Sequence, residues 1–229
     1  MDAGAPVIAV DGPSGTGKGT VCRRLAQALG WHFLDSGVLY RAVGLAAQRA
    51  GVPLNAEQPV AALAANIDLR FVPDPHAEYG MTVLLDGEDI SAAIRTEEAG
   101  GAASQVAAFP AVRAALLKRQ RAFRRRPGLI ADGRDMGTVV FPDAALKLFL
   151  TASPEERARR RHNQLKEKGI DVSLRALLED IRARDERDRG RAISPLVPAA
   201  DARLIDTTAM DVEAVVNEAM RHVREQGLA

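Results

Sequence analysis

Gly12-Pro13-Ser14-Gly15-Thr16-Gly17-Lys18-Gly19-Thr20 directly follows the apolar run Pro6 to Val10, and its residue types at this spacing build a cradle for phosphate. Glycines at 12, 15 and 17 let the backbone enter conformations closed to residues with a Cβ, so that successive N–H groups can point into one concavity and hydrogen-bond an anion. Lys18 adds a mobile point charge. The apolar spacing of Val21, Cys22, Leu25, Ala26 and Leu29, stopped by Gly30, predicts a helix whose positive end meets the cradle. Strand, glycine loop and helix in this order predict that Gly12 to Thr20 bind the phosphates of a nucleoside triphosphate. Gly19 stands where many such loops carry the Ser or Thr that ligates magnesium, with Thr20 one position later. A metal would then be held less directly, through water and a carboxylate elsewhere.

A second set of residues could receive an acceptor. Asp35-Ser36-Gly37 ends one strand-like run and leads to Tyr40-Arg41, placing a hydroxyl and a guanidinium at a strand end. Asp132-Gly133-Arg134-Asp135 ends another in the same manner. Arg clamps phosphate bidentately, and Asp accepts from a base amino group or a ribose hydroxyl. Between Arg157 and Arg191 the chain holds ten arginines against seven acidic residues. A solvated, salt-bridged helix face and an arginine lid that closes over phosphate share this pattern.

These residues need a frame. Val7–Asp11, His32–Asp35, Leu129–Asp132, Leu146–Leu150 and Arg203–Asp206 read as buried strands with helical patterns between them, which predicts a five-stranded parallel sheet flanked by helices. Ligands of such sheets bind outside the carboxyl ends of the strands. For Asp11 and Asp206, capping the next turn is an equal alternative. Ser153-Pro154-Glu155-Glu156 signals a helix start that runs to about Lys168; further helices are expected from near Ser173 and over Val212 to Arg224. The period-two alternation of Ile67 to Val72, followed by Met81 to Leu85 and the pair Asp86-Gly87, predicts a small antiparallel insert. The expected division is a core of residues 1–64 and 98–229, with a lid at about 155–170, and an inserted subdomain at 65–97. Arg124-Arg125-Arg126-Pro127-Gly128 reads as a helix exit.

Bulk properties narrow the class. With 229 residues, 47% apolar and 27% charged, the chain has the composition of an ordinary globular protein able to bury a large core. A net charge of +1 argues against a general nucleic-acid or membrane surface, so any positive field is local. Cys22 is the only cysteine, which excludes an internal disulfide and fits a reducing compartment. His32, His76, His162 and His222 lack ligand spacing. The amino-terminal residues carry no basic segment and the first apolar run stops at Asp11, so no secretory signal or anchor is read there, and a cytoplasmic protein is expected.

Gly12 to Thr20, Leu34-Asp-Ser-Gly37 with Tyr40-Arg41, Ala103-Ser-Gln-Val-Ala-Ala-Phe-Pro110, Ile130-Ala-Asp-Gly-Arg-Asp-Met-Gly-Thr138 and Arg184-Asp-Glu-Arg-Asp-Arg-Gly-Arg191 together resemble the bacterial cytidylate kinases, over nearly the whole chain. The resemblance implies a P-loop kinase fold with a larger acceptor-site insert, and transfer of the γ-phosphoryl of ATP to CMP or dCMP. It implies that Lys18 and the loop amides hold ATP, with Mg2+ as the metal. Ser36, Ser104, Arg113 and Asp135 would then form the acceptor-base site, and Arg41, Arg134 and Arg191 the acceptor-phosphate clamp. Arg184 and Asp188 would lie near the ribose. Arg157 and Arg161, on the lid helix, join Lys18 and Arg134 as catalytic candidates, and Asp132 is the candidate for the magnesium water shell. A carboxylate at 135 suits the amino group of cytosine and repels the carbonyl of uracil. The expected partners are small nucleotides only, with the chain acting as a monomer.

Two rivals remain at this point. A kinase for AMP, UMP or shikimate shares the donor half. A GTP-dependent switch is disfavoured because the chain has no Asn-Lys-x-Asp and no Asp-x-x-Gly sequence.

Overall fold

The computed structural model of the chain describes residues 4–74, 76, 77 and 81–229. Residues 1–3 of the amino terminus and residues 75 and 78–80 of the expected insert lie outside the described residues. In chain order the elements are β1 (Val7–Asp11), α1 (Lys18–Leu29), β2 (His32–Asp35), α2 (Ser36–Arg49), α3 (Glu57–Asn66), β3 (Leu69–Pro73), β4 (Met81–Leu85), β5 (Glu88–Asp89), a 3-10 turn (Ala93–Arg95), α4 (Glu97–Val106) and α5 (Pro110–Arg121). There follow β6 (Leu129–Gly133), a π turn (Met136–Val140), β7 (Leu146–Thr151), α6 (Pro154–Glu167), α7 (Leu174–Arg189), β8 (Arg203–Asp206) and α8 (Val212–Glu225). They divide into two compact units, one running up to Asp35 and resuming at Arg121, the other spanning Ser36–Gln120.

The first unit is built on a sheet of order β2-β6-β1-β7-β8, parallel throughout. Its central strand reads Val-Ile-Ala-Val-Asp and is buried along its whole length, as expected for a strand covered on both faces. Ile8, Val10, Ile130 and Leu148 join Val21, Cys22 and Leu25 of α1 and Val215, Val216, Ala219 and Val223 of α8 in one apolar cluster. Cys22 therefore packs. β2 and β6 lie to one side of β1, and β7 and β8 to the other, so the strand order reverses at β1 and opens a crevice at its carboxyl end. The glycine loop leaves β1 there.

α6 starts as its sequence dictates, with Ser153 Oγ accepting the amide of Glu156 and proline in the first turn. The Glu156 side chain does not return to the cap; it pairs with Arg159 and Arg160 instead. α7 is capped by Ser173 and packs on α6 through Ala158, Leu165 and Leu177. The helix before the arginine triplet ends at Arg121, and Arg124 bonds the Ala5 carbonyl and Asp143.

The second unit holds the antiparallel sheet β3-β4-β5 and the helices α2 to α4. Asp86 and Gly87 connect β4 to β5 with φ of 51° and 84°, the left-handed pair that a two-residue hairpin needs. α2 packs closely on α4, where a Cβ added at Gly44 would lie 2.9 Å from that of Ala102. Among the described residues, no helix is long and apolar enough to cross a membrane.

Candidate active site

The glycine loop takes the shape its composition predicts. Gly12, Gly15 and Gly17 have φ of 144°, 79° and 90°. A Cβ at Gly12 would meet the Leu150 carbonyl oxygen at 2.0 Å, so only glycine fits there. The helices α4, α6, α7 and α8 each begin with a side chain bonded to a first-turn amide, whereas α1 begins at left-handed Gly17 with no such cap. Its first amides are left for an anion.

Lys18 is buried and donates from Nζ to the Pro13 carbonyl at 2.7 Å. Burial, helped by the nearby Arg134 guanidinium and opposed by Asp132, lowers its ammonium to about 8. It is a buried amine beside a loop of amides, in a place poor in solvent, where a phosphate would favour its charged form.

Asp132, next to last in β6, is in register with Asp35 of β2. Burial raises its carboxyl to about 6, with Lys18 opposing and Asp35 adding to the rise. Gly19 leaves room in front of it: a Cβ there would sit 3.6 Å from Asp132 Oδ2. Two carboxylates near adjacent strand ends, with Lys18 close to one of them, fit a hydrated divalent cation.

Arg134 and Asp135 lie between β6 and the π turn. Arg134 Nε donates to Asp188 at 3.0 Å, and Arg191 forms a second ion pair with the same carboxylate. Burial alone would raise the Asp188 carboxyl, but Arg134, Arg191 and Arg184 outweigh it and hold it below the ordinary range. The first unit thus gathers Arg134, Arg184, Asp188 and Arg191 into one charged cluster, with Asp135 buried next to Arg134 in the chain. Asp135 also starts the turn, its carbonyl accepting the amides of Val139 and Val140.

Arg157 is buried within this unit. It forks onto Asp185 at 3.0 and 2.5 Å and donates to the carbonyls of Ala152 and Ser14. Arg161, one turn further along α6, donates to Gln164. The second unit carries the other predicted residues. Ser36 and Ser104 are buried, and Arg41 donates to the carbonyls of Ile94 and Thr96 at 2.9 and 3.2 Å. Arg113 lies over the Tyr40 ring, 5.6 Å from its centroid.

The partners of several side chains have no signal in sequence spacing. Asp11 accepts the amides of Met136 and Gly137, Thr207 just after β8 reaches the glycine loop at the Thr16 carbonyl, and Arg160 of α6 donates to the Thr207 hydroxyl. Each joins segments far apart in the chain. Asp206 takes the plainer of its two expected roles and caps the turn at Thr208.

Similarity to known proteins runs over nearly the whole chain. The sequence profile described as cytidylate kinase matches residues 8–225. A cytidylate kinase of Pseudomonas aeruginosa strain UCBPP-PA14 is 59% identical over 227 residues, covering 99% of both chains. One from Klebsiella pneumoniae strain 342 is 56% identical, covering 99% of this chain and 98% of its own. Among solved structures, a gluconokinase from Sinorhizobium meliloti 1021 aligns over 96% of this chain and 92% of its own at 17% identity, with a TM-score of 0.48. The profile match over residues 8–225 and end-to-end identity above one half place this chain in the cytidylate kinase family.

Proposed function

We infer that this protein transfers the γ-phosphoryl group of ATP to CMP or dCMP, forming CDP or dCDP and ADP. The observation that carries the reading is the match to cytidylate kinases along the full chain, together with an uncapped helix start and a buried lysine behind left-handed glycines. Such a transfer asks little covalent chemistry of the protein; it asks for in-line placement and for cations around the migrating group.

Within this reading the amides of residues 12–20 and Lys18 hold the ATP phosphates. Arg134, with Arg161 of the lid at about 155–170, offsets charge on the group in flight, while Arg157 is proposed to act on the loop rather than on the phosphate. Arg134, Arg184, Asp188 and Arg191 of the first unit take the phosphate and ribose of the acceptor, and Asp135 reads the cytosine amino group. Ser36, Arg41, Ser104 and Arg113 are the proposed acceptor contacts of the second unit. Residues 65–97 are proposed as the acceptor-nucleotide insert of a core formed by 1–64 and 98–229. Mg2+ is the proposed metal, held by Asp132 through water; bound there, it would neutralise phosphate charge. The near-balanced net charge of +1 supports small nucleotides, not nucleic acid or membrane, as partners of a cytoplasmic monomer.

The test is ADP release with a panel of acceptors. CMP and dCMP should exceed UMP, AMP and GMP by at least about a hundredfold, because a site built to bond an amino group leaves its own polar groups unpaired with the wrong base. A rate with AMP equal to that with CMP overturns the reading.

A further inference from the structure

In a trans peptide unit the carbonyl and the following N–H lie in one plane and point in opposite directions. Whatever grips a carbonyl on the outside of the glycine loop therefore sets the direction of the next amide on the inside. Three carbonyls of this loop are gripped. Pro13 accepts from Lys18 Nζ at 2.7 Å and from Thr16 Oγ1 at 3.1 Å. Ser14 accepts from Arg157 Nη1 at 3.2 Å, and Thr16 from Thr207 Oγ1 at 3.2 Å.

The last two donors are themselves fixed. Arg157 is 1% exposed, its fork is closed on Asp185, its Nε is held by the Ala152 carbonyl, and its stem lies against the loop, since a Cβ at Gly15 would touch Arg157 Cβ at 3.1 Å. Thr207 is fully buried. Its hydroxyl carries one hydrogen, with the Thr16 and Thr151 carbonyls at 3.2 and 3.1 Å. The Thr151 carbonyl also receives the Thr207 amide at 2.8 Å and Arg160 donates to the hydroxyl at 3.1 Å, so the hydroxyl's one hydrogen is shared between the Thr16 and Thr151 carbonyls. A buried ion pair such as Arg157–Asp185 is a poor source of stability by itself, and holding a geometry is the better-attested use of one.

We propose that Thr207 and Arg157 are positioning residues for the donor phosphates: by holding the carbonyls of Thr16 and Ser14 outward, they turn the amides of Gly17 and Gly15 into the cradle. Neither touches the nucleotide in this role. Lys18 can leave Pro13 for a phosphate without loosening the loop, because Thr16 still holds that carbonyl. The proposal rests on the reading of the loop as the ATP site.

Thr207→Val, close in shape to threonine, tests it in the full-length protein. The KM for ATP should rise about tenfold while the KM for CMP stays within about twofold, the size expected for a lost buried hydrogen bond. Thr207→Ser should restore the KM for ATP, and Thr207→Ala serves where valine does not fold. Calorimetry with tripolyphosphate should show the same tenfold loss with no acceptor present. An unchanged KM for ATP with unchanged tripolyphosphate affinity overturns the proposal, as does an equal rise in both KM values. Failure of the unmutated protein to phosphorylate CMP would instead count against the functional reading, and the tripolyphosphate measurement still decides the positioning role.

Discussion

Asp11 and Gly137 are joined by a hydrogen bond of 2.8 Å, in which the carboxylate ending β1 accepts the second amide of the π turn; its other oxygen accepts the first, that of Met136, at the same distance. The strand that launches the donor loop thereby also fixes the turn that follows Arg134 and Asp135. Asp11→Asn keeps one acceptor and sets an NH2 against the other amide. We expect kcat/KM for CMP to fall about tenfold, measured by steady-state turnover. Burial raises the Asp11 carboxyl to about 7 from an ordinary 3.8, although both amide bonds oppose the rise. A carboxyl raised on folding stabilises fully below its unfolded value, and that contribution is lost as pH climbs through the folded one. Urea unfolding should therefore show the difference in stability between the parent and Asp11→Asn shrinking by on the order of 3 kcal/mol from pH 4.5 to pH 8.

Lys18 carries the only side-chain ammonium in the glycine loop. Lys18→Ala should lower kcat by at least about a hundredfold with an unchanged circular dichroism spectrum. Because burial lowers the ammonium to about 8 in the absence of nucleotide, the KM for ATP should rise as pH passes from 7 to 9. Lys18→Arg, which stays charged, should lose that rise.

Asp188 sits between Arg134 and Arg191 and is 1% exposed. Asp188→Asn removes the carboxylate with which both guanidinium groups pair. Removing one partner of a buried pair costs roughly 3–5 kcal/mol, so thermal unfolding should occur well below that of the parent. The KM for CMP should rise more than that for ATP.

Gly44 lies inside α2, where replacing glycine by alanine ordinarily stabilises a helix by about 1 kcal/mol. Here the new Cβ would come 2.9 Å from Ala102 Cβ, closer than such atoms approach. Gly44→Ala should destabilise by about 1–3 kcal/mol in urea titration. Gly101 of α4, with open space at its Cβ position, should respond with the opposite sign.

The sequence by itself determined what depends on neighbours in the chain. The strand at Val7–Asp11, the glycine loop and the helix from Lys18 follow from apolar period and from glycines at three positions. The hairpin turn at Asp86-Gly87 follows from two residues that tolerate positive φ, and the start of α6 from Ser153 and Pro154. Tertiary structure decided what depends on partners remote in the chain. Asp11 and Asp206 end strands in the same manner, yet one caps its own turn while the other reaches across to Met136, because β1 has a neighbour on each side and β8 lies at an edge. The arginines after Arg157 look alike as a string. Burial separates them: Arg157 must close on Asp185 because no water reaches it, whereas Arg159 keeps to a solvent-side pair with Glu156. Local spacing indicates pairs such as Arg159 with Glu156, but not the remote carboxylate that folding brings to Arg157.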